Sequence, residues 1–153
     1  MKRVTAALMI PLVLLSLNGP VFAHCEIPCG IYGDDARFAA MFEDITTIEK
    51  SMKLINELSG AAEKNFNQIV RWVNNKETHA DHIREIVAQY FLAQRIKVPA
   101  EGDAAAQKAY TGKLALLHQI VVATMKCKQT TDLENVKKLH DLVQEFQNAY
   151  RSK

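Results

Sequence analysis

Apolar residues recur every three or four positions through most of the chain, the spacing that places side chains on one face of a helix. In residues 34–59 a glycine, Gly60, follows the last apolar position, as expected where a helix ends. This segment therefore predicts a first amphipathic helix with its apolar stripe at Phe38, Met41, Ile45, Ile48, Met52, Ile55 and Leu58.

Three further segments show the same spacing. The second stripe runs through Phe66, Ile69, Val73, Ala80, Ile83, Val87 and Tyr90, and it ends near Lys97 to Pro99. The third runs through Tyr110, Leu114, Leu117, Val121, Thr124 and Met125. The fourth opens at Thr131-x-x-Glu134, which has the form of a capping box, and continues through Leu133, Val136, Leu139 or His140, Val143, Phe146 and Tyr150. Sustained two-residue alternation is absent, so the pattern predicts an all-α chain, an antiparallel up-down four-helix bundle.

The start of the chain has a different composition. Residues 1–23 contain the charged pair Lys2 and Arg3, an apolar run, and Val21-Phe22-Ala23 with small residues at the −3 and −1 positions of a cleavage site. We therefore expect a secretory signal peptide that is cut after Ala23, with a membrane anchor as the weaker alternative. The formal net charge of +2 belongs to this segment, since the remaining 130 residues carry 17 basic and 17 acidic side chains. A neutral mature chain argues against nucleic acid or an anionic membrane as a partner.

Cleavage at that point exposes an unusual set of metal donors in residues 24–33, here called the hook. The freed α-amine of His24 and the amide nitrogen of Cys25 close one five-membered chelate ring, and that amide with the Cys25 thiolate closes a second. Cys29 can return a second thiolate through a turn that Pro28 and Gly30 favour. Such a planar N2S2 set, with the His24 imidazole as an axial ligand, suits Ni(II) or Cu(II) better than tetrahedral zinc. Its strong donors also favour a higher oxidation state, which indicates a redox role.

The hook closely resembles the N-terminal motif of the nickel superoxide dismutases, His-Cys-x-x-Pro-Cys-Gly-x-Tyr, which begins at a processed N-terminus. The matching residues are His24, Cys25, Pro28, Cys29, Gly30 and Tyr32. The resemblance implies one nickel ion per chain bound by His24, Cys25 and Cys29, with Tyr32 over the open face and Tyr90 as a second tyrosine near the site. It further implies Ni(III)/Ni(II) cycling that disproportionates superoxide, a cis bond before Pro28, a homohexamer of four-helix bundles, and room for an accessory peptidase or nickel chaperone.

The resulting organisation is a signal peptide at 1–23, a nickel hook at 24–33 and one helical domain at 34–153, exported to a periplasmic or extracellular location. The alternative is a non-catalytic exported helical protein that binds a metal, or holds a Cys25–Cys29 disulfide, at its N-terminus. Two further features have plainer interpretations. His79 and His82 are expected on a solvated or interface face rather than as metal ligands, and Cys127 is expected to be a buried, inert thiol.

Overall fold

The structure is a computed structural model that describes residues 33–152. Within that range α1 spans Gly33–Gly60, α2 spans Phe66–Glu85 and continues as a π-helical segment at Ile86–Arg95, α3 spans Ala104–Gln129, and α4 spans Leu133–Arg151. The described residues contain no strand. The all-helical prediction is thus confirmed, with four helices, whereas the signal peptide and the hook as far as Tyr32 lie outside the described residues.

Polar side chains fix three of the helix starts. Asn65 accepts the N–H of Gln68 before α2, and Asp103 accepts the N–H of Ala106 before α3. Before α4 the side chain of Asp132 accepts the N–H of Glu134. The predicted capping box is therefore wrong, because Asp132 is as good an N-cap as threonine and lies one residue closer to the first helical turn.

The predicted stripes form most of the core. In the first helix six of the seven positions are buried, and Leu58 is partly exposed. In the fourth helix Leu139 is buried and His140 is exposed, which decides the alternative left by the spacing. The predicted stripe of α2 is wrong at its first position, because Phe66 is 69% exposed. Val70, one turn further on, is also exposed, at 57%.

The buried face of α2 also contains a charge that the spacing did not predict. Between Val73 and Ala80, the side chain of Lys76 lies in the core with only 3% of its surface exposed. Its Nζ donates to the backbone oxygens of Cys127, at 2.8 Å, and Lys128, the last turn of α3. The ammonium thus satisfies carbonyls that a helix end leaves without partners.

Consecutive helices pack on one another, and α4 packs back on α1. At one end of the domain, aromatic rings from three elements meet: Phe38 of α1, Phe91 of the π-helical segment, and Phe146 with Tyr150 of α4. The Phe38–Phe91 and Phe91–Phe146 ring centroids are both 4.9 Å apart. This aromatic cluster brings the first turn of α1, which follows the hook, against the ends of the π-helical segment and of α4.

Candidate functional site

The residues predicted to form the metal site, His24, Cys25, Cys29 and Tyr32, lie outside the described residues. The described domain begins one residue after Tyr32, so its first turn is the surface from which the hook leaves. Gly33 opens this turn with φ +71°, a left-handed conformation that favours glycine. The geometry around the next residue, Asp34, is therefore the part of the candidate site that the structure describes.

Three donors from two distant elements converge on the carboxylate of Asp34. The Tyr90 hydroxyl donates to Oδ1 at 2.6 Å, while the Tyr150 hydroxyl and the Arg95 guanidinium donate to Oδ2, each at 2.8 Å. Arg95 also donates to the Tyr150 hydroxyl oxygen at 3.3 Å. We call these four residues the Asp34 cluster.

The cluster shifts the ionisation of its members in a consistent direction. Burial alone would raise the pKa of Asp34, but the hydrogen bonds from Arg95, Tyr90 and Tyr150 outweigh it and hold the pKa below its ordinary 3.8. Burial and the hydrogen bond to Asp34 raise the pKa of Tyr90 to about 12. Burial also raises the pKa of Tyr150. At neutral pH the cluster therefore consists of an ionised carboxylate, a guanidinium and two neutral phenols.

Winding of the second helix makes this convergence possible. In an α-helix, residues five apart point about 140° away from each other, because 3.6 residues complete a turn. In the π-helical segment the bonds connect residues five apart, as in the bond from the Ile96 N–H to the Phe91 oxygen at 2.9 Å. Tyr90 and Arg95, which are five apart, can thus reach the same carboxylate. A stripe of 3.6-residue period could not predict this, so Arg95 was missed.

Basic side chains flank the cluster. An open cavity of about 230 Å³ has Arg95, Lys97, Lys113 and Tyr150 among its lining residues. The Lys113 ammonium lies 5.9 Å from the centroid of the Tyr150 ring. The lysines come from different segments, so their proximity to the chain entry could not be read from sequence spacing. They are a local source of positive potential beside the Asp34 cluster.

The histidines of α2 have a partner that sequence reasoning missed. Asp44 of α1 is 4% exposed, and its Oδ1 lies 2.7 Å from the Nδ1 of His79. The Nδ1 of His82 lies 2.9 Å from Oδ2, at ion-pairing distance but without the angle of a hydrogen bond. Across residues 33–152 no group of three or more histidine, cysteine or acidic side chains is arranged to hold a metal ion. His79 and His82 are thus explained as partners of the buried Asp44 carboxylate.

Cys127 is fully buried in α3, as predicted. Burial raises the pKa of its thiol to about 11, despite an opposing effect of the Lys76 charge. The thiol is therefore protonated at neutral pH, which makes it a poor metal ligand and a poor nucleophile.

Comparison with known proteins gives one match. The family model described as nickel-containing superoxide dismutase matches residues 20–153, a range that includes the whole hook and the four helices. No curated protein and no solved structure matches the chain. No helix in the described part of the chain is both long and apolar enough to span a membrane.

Proposed function

The chain belongs to the family of nickel-containing superoxide dismutases, and we propose that its nickel is held at a processed N-terminus by His24, Cys25 and Cys29. It is thus an oxidoreductase with a nickel cofactor, as the sequence predicted. The observation that carries the assignment of ligands is that the family match includes all of these residues, whereas residues 33–152 contain no comparable group. The donor set fits the metal, because amine, amide and thiolate donors suit square-planar nickel.

The reaction is the disproportionation of superoxide, in which two superoxide ions and two protons give one dioxygen and one hydrogen peroxide. Nickel, when bound, would supply the one-electron Ni(III)/Ni(II) couple that this reaction needs. In our proposal the α-amine and imidazole of His24, the amide nitrogen and thiolate of Cys25, and the thiolate of Cys29 hold the metal. The Tyr32 hydroxyl orders water over the open face and restricts access to small anions.

This assignment requires cleavage after Ala23, because only then is the α-amine of His24 free. The same cut removes Lys2 and Arg3 with the apolar run typical of a signal peptide. We therefore propose that the protein is exported, to the periplasm or beyond the cell, and that the mature chain is neutral. Export exposes free thiols to oxidation, so the metal must load before Cys25 and Cys29 form a disulfide.

We further propose that the helices form an antiparallel up-down bundle and that six copies assemble. Packing of each helix on the next, and of α4 on α1, supports the first part. The exposed apolar residues Phe66 and Val70, one turn apart on α2, support an interface with a further copy.

Mass spectrometry of the mature protein, metal analysis and a superoxide assay test the assignment together. We expect an N-terminus at His24, one nickel per chain, and loss of both nickel and activity in Cys25→Ser and Cys29→Ser. The matched control is Cys127→Ala, which removes the buried thiol and should keep both. An N-terminus other than His24 in an active enzyme, or full nickel content in the two hook variants, would contradict the proposed ligand set.

A further inference from the structure

The hook is followed by Asp34, whose carboxylate accepts hydrogen bonds from three side chains of the helical domain. Tyr32 precedes Asp34 by two residues, and consecutive Cα atoms are about 3.8 Å apart, so any displacement of Asp34 reaches the hook directly. We propose that Tyr90, Arg95 and Tyr150 are positioning residues, which fix Asp34 and thereby the place and direction from which the hook leaves the domain. This inference rests on the proposed location of nickel in the hook.

The contacts of Asp34 exceed what a helix start requires. An acidic side chain in the first turn is favoured by the free N–H groups and the helix dipole alone, without help from distant residues. Here the donors lie 56, 61 and 116 positions away in the sequence. Neighbouring Asp35 shows the contrast, since it has one ion pair, with Arg151, and its side chain is 85% exposed. The three donors therefore fix where the Asp34 carboxylate lies, in addition to stabilising its charge.

The donors themselves are held firmly. Tyr90 is 3% exposed, and its ring stacks edge-on against Phe91 with centroids 5.3 Å apart. The ring of Tyr150 packs against Phe38 at 5.7 Å and against Phe91 at 5.5 Å. Both hydroxyls thus project from a close-packed aromatic cluster, and a packed interior has little room for such rings to move. Asp34 is therefore tied to a buried, close-packed part of the domain.

The π-helical segment has its use in the same contact. Its winding brings Tyr90 and Arg95 to opposite oxygens of one carboxylate, an arrangement that an α-helix with the same residues would not give. π-Helical segments are rare in proteins, and those that do occur are often found at functional sites. The departure from α-helical geometry thus occurs at the residues that hold Asp34, which directly follows the hook.

Loss of the Asp34 contacts should change the geometry at nickel, rather than its presence. The ligand residues remain, so the variant enzyme still binds one nickel per chain. A displacement of about 1 Å at a reacting centre can lower a rate by up to about 100-fold. We therefore expect kcat to fall by about 10- to 100-fold in Asp34→Asn and by about 2- to 10-fold in Tyr150→Phe, which removes one hydroxyl and keeps the ring.

The experiment compares nickel-loaded Asp34→Asn with Asp35→Asn, the same substitution one residue away. Nickel content, kcat, the electron paramagnetic resonance spectrum of the oxidised enzyme and Tm are measured for each. We expect Asp34→Asn to keep its nickel, lose kcat and give a shifted or broadened Ni(III) spectrum, while Asp35→Asn matches the wild type. Tyr150→Phe serves as the milder variant if Asp34→Asn does not fold.

Two failures can be told apart. If the wild-type enzyme holds its nickel elsewhere than in the hook, the proposed ligand set fails, and the positioning role fails with it. If the wild-type hook holds nickel, and the variants lose only Tm while kcat and the Ni(III) spectrum stay unchanged, the Asp34 cluster serves stability alone and the positioning role is overturned.

Discussion

Lys76 makes a strong test of how the domain is held together, because it is a charge in a core. The residue is 3% exposed, and its ammonium donates to the oxygens of Cys127 and Lys128 at the end of α3, and to Glu77 at 2.9 Å. The substitution Lys76→Met keeps the length and apolar stem of the side chain and removes the charge. The free energy of unfolding should therefore report what the ammonium contributes.

The magnitude follows from the contacts that are lost. Hydrogen bonds to a charged group contribute about 1.5–3 kcal/mol each, and two are made to the carbonyls. A cation near a helix C-terminus adds about 0.3–1 kcal/mol. Against this, an apolar side chain of similar volume recovers part of the loss by packing in the core without a charge to bury. We expect a net destabilisation of about 2–4 kcal/mol, or a fall in Tm on the order of 10 °C.

Urea unfolding followed by circular dichroism measures this difference, with Lys53→Met as the matched control. Lys53 forms an ion pair with Glu49 one turn away, and its side chain is 58% exposed. Such a surface pair contributes about 0.3–0.5 kcal/mol. If Lys76→Met were no less stable than Lys53→Met, desolvation would cancel the hydrogen bonds, and the buried ammonium could not be what secures the end of α3.

Three further predictions concern the Asp34 cluster, Cys127 and two glycines. The contribution of the Asp34 cluster to stability, measured as the difference in free energy of unfolding between wild type and Asp34→Asn or Tyr90→Phe, should be constant between about pH 4 and 10. At low pH the contribution is lost below the ordinary Asp pKa of 3.8, as pH falls through the lower folded pKa of Asp34. At high pH it is lost between 10 and about 12, as pH rises through the raised pKa of Tyr90. A stability difference that stays flat across either limit would contradict this prediction. Cys127 should resist iodoacetamide in the folded protein at pH 7.5, as read by peptide mass spectrometry, and should react only after denaturation; rapid labelling of the native protein would show that it is neither buried nor protonated. Gly33→Ala should destabilise by about 1–2 kcal/mol because of its positive φ, whereas Gly112→Ala, inside α3 with open space around its Cβ position, should stabilise by about 1 kcal/mol; the same sign for both in thermal unfolding would refute the conformational argument.

The helices could be predicted from the sequence because burial of one face has a period, and the period is visible in the residue order. The errors occur where another interaction competes with that period. Lys76 occupies a core position because helix-end carbonyls supply its partners. Phe66 keeps the period but lies on a surface that residues 33–152 leave exposed. The position of Lys76 depends on carbonyl groups far away in the sequence, which spacing cannot register.

The candidate site divides in the same way. The activity was predictable because the motif that implies it depends on residues next to one another, from His24 to Tyr32, and the family match to residues 20–153 confirms that activity. The Asp34 cluster was not, since its members come from three elements and meet only through π-helical winding and helix packing. Tyr90 was expected near the site from resemblance alone, while its bond to Asp34 and the role of Arg95 required the structure.

The hook and the Asp34 cluster, the two parts of the candidate site, have opposite requirements, which explains their separation in the chain. A metal site built on a free α-amine must lie at a chain end, where the fewest neighbouring residues restrain the backbone. A redox reaction, by contrast, needs its ligands held to a fraction of an ångström. A bundle supplies that restraint only where the chain enters it, so the strongest polar contacts should gather at the first turn of α1. Three donors on Asp34, backed by the aromatic cluster, meet this requirement, whereas Asp35 beside it has a single exposed ion pair. The concentration of contacts on one carboxylate thus matches what the proposed terminal metal site would require of its scaffold.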